Sequence, residues 1–194
     1  MKRISRSRAR TRKARLRAFL RWFCYSVVLL FFYLWEVAPL IRGWCPLLII
    51  PLATAVAMFE GEFAAGIFGV VCGLMLDVAS GTLIGFSSMW LLVICPTISL
   101  LGQFWLKRSW LSHLVMNSIA VVFICLMDFL FLHWVWERES SGISFVHSLL
   151  PAYLWAILLS LPVYFLVRLI SSRFRPKEER RLEEAVSDNA EEEE

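Results

Sequence analysis

The sequence predicts an all-α, polytopic membrane protein with six transmembrane helices. Three observations predict it. The composition is 59% hydrophobic, with a mean hydropathy of +0.66. Apolar runs recur at close to the ~20 residues a helix needs to cross hydrocarbon. Basic residues gather at the chain ends and in one short connector. A soluble domain of this length needs polar residues throughout, and the middle of this chain has too few. In lipid every backbone amide must pair within the protein, which leaves helices and excludes an open sheet edge.

The runs place spans at 21–41, 44–59, 63–79, 84–104, 112–136 and 147–170. The second and third are short and rich in Pro or Gly, so five spans, or one re-entrant segment, is the alternative arrangement. Charge decides between them. The first 21 residues hold ten Lys or Arg and no acid, the connector holds Lys107 and Arg108, and the tail from Arg168 holds six. Six spans put 18 of the 20 basic residues inside, leaving only Arg42 and Arg138 outside, as the positive-inside rule requires. Five would strand the head or the start of the tail on the wrong side. Trp22, Trp105 and Trp110 then mark cytoplasmic edges and Trp44, Trp134 and Trp136 outer edges. Trp35, Trp90 and Trp155 fall off these belts and read as packing between helices.

The domain organisation is a basic cytoplasmic head over 1–20, a transmembrane domain over 21–172 and a charged, solvated tail over 173–194. The head, MKRISRSRARTRKARLR, lacks the hydrophobic face of a transit peptide, and the apolar run after it is too long for a secretory signal. It reads as an anchor on anionic headgroups, at ~1 kcal/mol per well-placed charge, rather than as a nucleic-acid-binding arm. The tail, RPKEERRLEEAVSDNAEEEE, turns from basic to acidic. With six spans it shares the cytoplasmic side with the head. Cys24, Cys45, Cys72, Cys95 and Cys125 are scattered in apolar runs without CxxC spacing, which reads as small buried hydrophobes, with neither metal nor cofactor.

Four ionisable residues interrupt the spans: Glu36, Asp77, Asp128 and His133. Glu36 and His133 stand near outer ends and read as interfacial. Asp128 lies deeper, roughly 12 Å from the outer end of its span. Asn117 falls on the same stripe eleven residues earlier, close to three turns, and His113 extends it, with Val121 and Ile124 between. A buried carboxylate must face other helices or water. The stripe reads as a helix–helix contact, and its rival is a track for ions or protons.

The segment GLMLDVASGTLIGF sets Gly73, Asp77, Gly81 and Gly85 at four-residue intervals. Gly66, Gly69 and Gly73 form a small-residue face that admits another helix closely, and the expected occupant is a partner's helix. Ser80, Gly81 and Thr82 supply a turn, and Gly85 opens span four. Asp77 then stands where it caps the first amides of that span, aided by the helix dipole. No HExxH, GxSxG or paired mid-membrane aspartates occur, so the sequence does not read as an enzyme.

Gly69, Gly73, Leu74, Asp77, Ser80, Gly81 and Gly85, in a small six-span chain, resemble the signature of the rod-shape-determining membrane protein family MreD. The resemblance extends loosely over 20–170; head and tail lie outside it. Where the family carries a turn residue, often proline, this chain reads Thr82-Leu83-Ile84. The resemblance implies a non-enzymatic subunit of the cell-elongation complex in the bacterial inner membrane. It would associate with MreC and, through it, with MreB filaments, RodA and a class B penicillin-binding protein. It also implies a fold similar to the substrate-binding subunits of energy-coupling-factor vitamin transporters. The rival function is therefore a transport subunit that holds a small molecule, with Asn117 and Asp128 lining its pocket.

Overall fold

A computed structural model describes residues 2–37, 47–81, 83–104, 109–136 and 150–174, with side chains from residue 16 on except 103–104, 132–136, 150 and 152. All regular structure among them is helical: α1 (Lys2–Val37), α2 (Ile49–Phe59), α3 (Glu62–Ser80), α4 (Phe86–Phe104), α5 (Trp110–Trp136), α6 (Leu150–Leu158) and α7 (Ser160–Phe174). Arg42, Trp44, Cys45, Thr82, Trp105, Lys107, Arg108, Arg138 and the tail from 175 lie outside the described residues, as do the side chains of His133, Trp134 and Trp136.

α1 runs 36 residues without Gly or Pro, passing the expected boundary at residue 20 without a break. α3, α4 and α5 begin and end within two residues of the spans read for them. The sixth run differs. It forms two helices separated at Leu159, where a single span over 147–170 was expected. Pro162 explains the break, because it has no amide to offer the Leu158 carbonyl and crowds it. Pro96 in α4 removes the amide due to Leu92, and Thr97 Oγ1 donates to the Val93 carbonyl at 2.7 Å beside it.

The chain forms two compact units. One holds α1 up to Val27 and α7 from Arg168; the other spans Val28–Val167. Within the larger unit α2 is the centre, packed by α3, α4, α5 and α6. All eleven of its residues are buried. A helix that is apolar all round belongs in an interior, and Ala53, Ala55 and Ala57 let its neighbours approach. Eleven residues rise about 16 Å, half the ~30 Å of a hydrocarbon core. The second run is thus a buried helix over 49–59 rather than a full-length lipid-facing span.

The exterior is apolar. α3 turns outward Phe63 (80% exposed), Ile67, Val71, Leu74 and Val78; α5 turns outward Leu111, Val115, Ile119, Val122, Leu126 and Leu130. Water-soluble surfaces do not sustain such stripes. Leu16–Val37, Glu62–Ser80 and Trp110–Phe131 are each long and apolar enough to cross a bilayer. The chain is a helical membrane protein. Trp35 and Trp155 are partly exposed, whereas Trp90 meets Phe123 edge-to-face at 5.1 Å.

Candidate functional site

The segment from Gly66 to Ser88 folds as a closed helical hairpin. Among the described residues α3 and α4 make the most extensive helix–helix contact. A Cβ at Gly66 would lie 3.1 Å from Pro96 Cγ, one at Gly69 2.8 Å from both Cys95 Sγ and the Leu91 carbonyl oxygen, and one at Gly73 2.4 Å from Ser88 Cα. Contact thus tightens along α3 until, at Gly73, backbone meets backbone. Ser88 Oγ donates to the Val70 carbonyl at 3.3 Å across the same crossing. The glycine face is filled by α4 of this chain, which corrects the expectation that it receives a partner's helix.

Gly81 and Gly85 serve the turn instead. Nothing lies within 4 Å of a Cβ at either, so close packing does not require them. Their φ values do, at +65° and +99°. Gly81 is the left-handed C-cap of α3, its amide bonded to the Asp77 carbonyl. Ser80 ends α3 exposed to the surroundings.

Asp77 is fully buried and closes the hairpin. Its Oδ2 accepts the Gly85 amide at 2.8 Å and its Oδ1 the Ser87 amide at 3.1 Å. These are amides at the start of α4, which have no carbonyl four residues earlier within the helix. A carboxylate there meets two donors and the positive end of the helix dipole. Glu36 holds a comparable post, facing the Leu48 and Ile49 amides at the start of α2. It is half-buried in the bundle.

The stripe on α5 is divided among three neighbours. Asp128 accepts a hydrogen bond from the Tyr153 hydroxyl of α6. Asn117, fully buried, meets Thr54 of α2, with Oγ1 2.9 Å from Oδ1. Thr54 Oγ1 also lies 3.1 Å from the Pro51 carbonyl, so its one proton faces two acceptors while Asn117 Nδ2 is unpaired. Turning the amide over lets Nδ2 donate to Thr54 and Thr54 to Pro51, which satisfies both donors. His113 is 1% exposed and stacks on Tyr164 of α7 at 5.0 Å. Neither ring nitrogen makes a well-formed hydrogen bond, although the Ser160 backbone lies near one. The stripe joins α5 to α2, α6 and α7, with Asn117 meeting α2 and Asp128 meeting α6.

Sequence reasoning missed Thr54, Tyr153 and Tyr164. Each is one polar group in an apolar run, a visible signal, but nothing in the spacing names its partner. Among the described residues no three His, Cys, Asp or Glu side chains gather as a metal site, and Cys24, Cys72, Cys95 and Cys125 are free thiols. What the arrangement offers chemically is rigidity, since its buried acids are engaged by helix amides and a tyrosine hydroxyl. No known protein family, curated protein or solved structure matches this chain.

Proposed function

We propose that this chain is a non-enzymatic, six-span subunit of the bacterial inner membrane that acts in the cell-elongation complex, as its resemblance to the MreD family implies. It would connect MreC, and through it MreB filaments, with RodA and a class B penicillin-binding protein, and so help maintain rod shape. The observation that carries this reading is the hairpin over Gly69–Ser88. Gly69, Gly73, Asp77, Gly81 and Gly85, five of the seven residues that bear the resemblance, close, cap or turn it, which supports reading the signature as a rigid element. Termini on one side of the membrane accord with the shared compact unit of α1 and α7 ends. In that topology α6 and α7 together make the sixth crossing.

The test is complementation. In rod-shaped cells depleted of their own MreD-family protein, expression of this chain restores rods and the chain co-purifies with MreC. Cells that stay round, with no MreC retained by a well-expressed chain, would exclude the reading.

A second reading, the substrate-binding subunit of a vitamin transporter, draws on His113 and Asn117. They lie one turn apart on α5, both buried, and neither ring nitrogen of His113 makes a well-formed hydrogen bond. Buried donors without partners suit a small polar ligand. Recovery of a vitamin-sized molecule with the purified protein, lost in His113→Phe, would favour it.

A further inference from the structure

We propose that Leu159 is a hinge on which the first two turns of α7 open and close against α5, with the ring of His113 as its latch. The proposal goes beyond the functions above. It rests on how the break is built, how α7 is held, and which polar groups the closed arrangement keeps from water. The turns concerned, 160–167, belong to the same compact unit as α2 to α6.

Two successive carbonyls at the break are poorly served. Leu159 still donates its amide to the Trp155 carbonyl at 2.9 Å, so α6 is intact up to that point. Beyond it, Pro162 offers no amide to the Leu158 carbonyl, and the Val163 amide reaches the Leu159 carbonyl only at 3.4 Å. Ser160 Oγ donates to the Ile157 carbonyl at 2.7 Å, a local bond that leaves the Leu158 carbonyl as it is. A proline with freed backbone groups is where a helix bends.

The two sides of the break are held differently. α6 packs its backbone on α5 and α2 and is tied to α5 by Tyr153 and Asp128. Among the described residues, no helix packs its backbone that closely on α7. Its first turns are held by rings instead. His113 stacks on Tyr164 at 5.0 Å with the planes 23° apart, and Tyr164 meets Phe59 of α2 at 5.5 Å. Ser160, Val163, Tyr164 and Val167 are all buried on that side.

His113 also works against closure. Its face holds Tyr164, but its two nitrogens are buried without a well-formed hydrogen bond. Polar groups left unmade inside a bundle favour any arrangement that wets them. Opening at Leu159 lets water reach the imidazole, and closing restores the ring stack. Each arrangement has its own gain, which makes two populated states of one chain.

The test reads distances in the full chain reconstituted into vesicles, by pulsed electron resonance between two spin labels. The labels ride on a ketone-bearing amino acid, which leaves the native thiols untouched. Positions 115 and 165 face outward on α5 and α7, and positions 126 and 154 face outward on α5 and α6. We expect a main distance and a longer, minor one for the 115–165 pair, and a single distance for 126–154. His113→Ala removes the stack and should make the longer 115–165 distance dominant. His113→Phe keeps a ring and removes the nitrogens, so the longer distance should vanish. Pro162→Ala returns an amide to Leu158 and should abolish the longer distance as well, a reading that does not depend on how well His113→Ala folds. The 126–154 distance should hold in all three. A single 115–165 distance that neither His113→Ala nor Pro162→Ala changes would overturn the hinge. Lengthening in both His113→Ala and His113→Phe would overturn the latch. A parallel change at 126–154 would overturn both, because the whole bundle would then be loosening.

Discussion

Gly73 and Ser88 are in backbone contact: a Cβ at position 73 would fall 2.4 Å from the Ser88 Cα and 2.5 Å from its amide nitrogen. No rotamer change relieves a clash with backbone, so even Gly73→Ala must push α3 and α4 apart. Overpacking of this kind costs ~1–3 kcal/mol and more when backbone has to move. Gly66→Ala meets only a ring carbon of Pro96 at 3.1 Å, and the ~1 kcal/mol gain in helix propensity offsets much of that contact. Thermal unfolding in detergent should show a large drop for Gly73→Ala and a small change for Gly66→Ala.

Gly81→Ala separates turn strain from packing. Space is open around Gly81, so its cost is that of a left-handed alanine, ~1–2 kcal/mol. The variant should unfold earlier than the parent but later than Gly73→Ala in the same assay.

Removing the carboxylate of Asp77 leaves the buried Ser87 amide, and the amide of Gly85, without acceptors. Asp77→Leu should therefore cost ~2–4 kcal/mol, about 1–2 for each lost charge-assisted bond. Asp77→Asn keeps one acceptor oxygen and should fall between Leu and the parent. Hydrogen exchange at Gly85 and Ser87 reads the cap directly, and both amides should lose protection in Asp77→Leu.

Asp128 and Tyr153 tie α5 to α6. A double-mutant cycle with Asp128→Asn and Tyr153→Phe should return a coupling of ~0.5–2 kcal/mol, the range for polar pairs between membrane helices. Additive losses would show that the bond contributes nothing to the folded state.

The hairpin is the part of this molecule that its sequence shows most openly, for a local reason. Small residues one turn apart, then an acid, then glycines require a close helix approach followed by a turn. Whose helix makes that approach is a tertiary fact, and GxxxG spacing is silent on it; the Cys95 and Ser88 side of α4 carries no matching pattern. α2 was harder to read. A short helix that is apolar all round suits lipid and protein equally, and only its neighbours show it to be central. Asp128 announced a buried partner but not Tyr153, which stands 25 residues away in an unpatterned run. Pro162 could have revealed the break in the sixth run, because a proline that deep in a run fits only the first turn of a new helix, where it stands in α7.

The central claim is that the glycine face of α3 is covered by α4 of the same chain. A Cβ at position 69 would lie 3.1 Å from the Cβ of the native Cys95 and 2.8 Å from the Leu91 carbonyl oxygen, so the small separation of α3 from α4 that relieves the backbone clash also brings the pair into the 3.5–4.5 Å disulfide range. Gly69→Cys, oxidised in native membranes and mapped by mass spectrometry, should yield an intramolecular 69–95 disulfide that disappears with Cys95→Ser. A thiol at 69 that stays free of Cys95 and instead forms a disulfide with another protein would contradict the account.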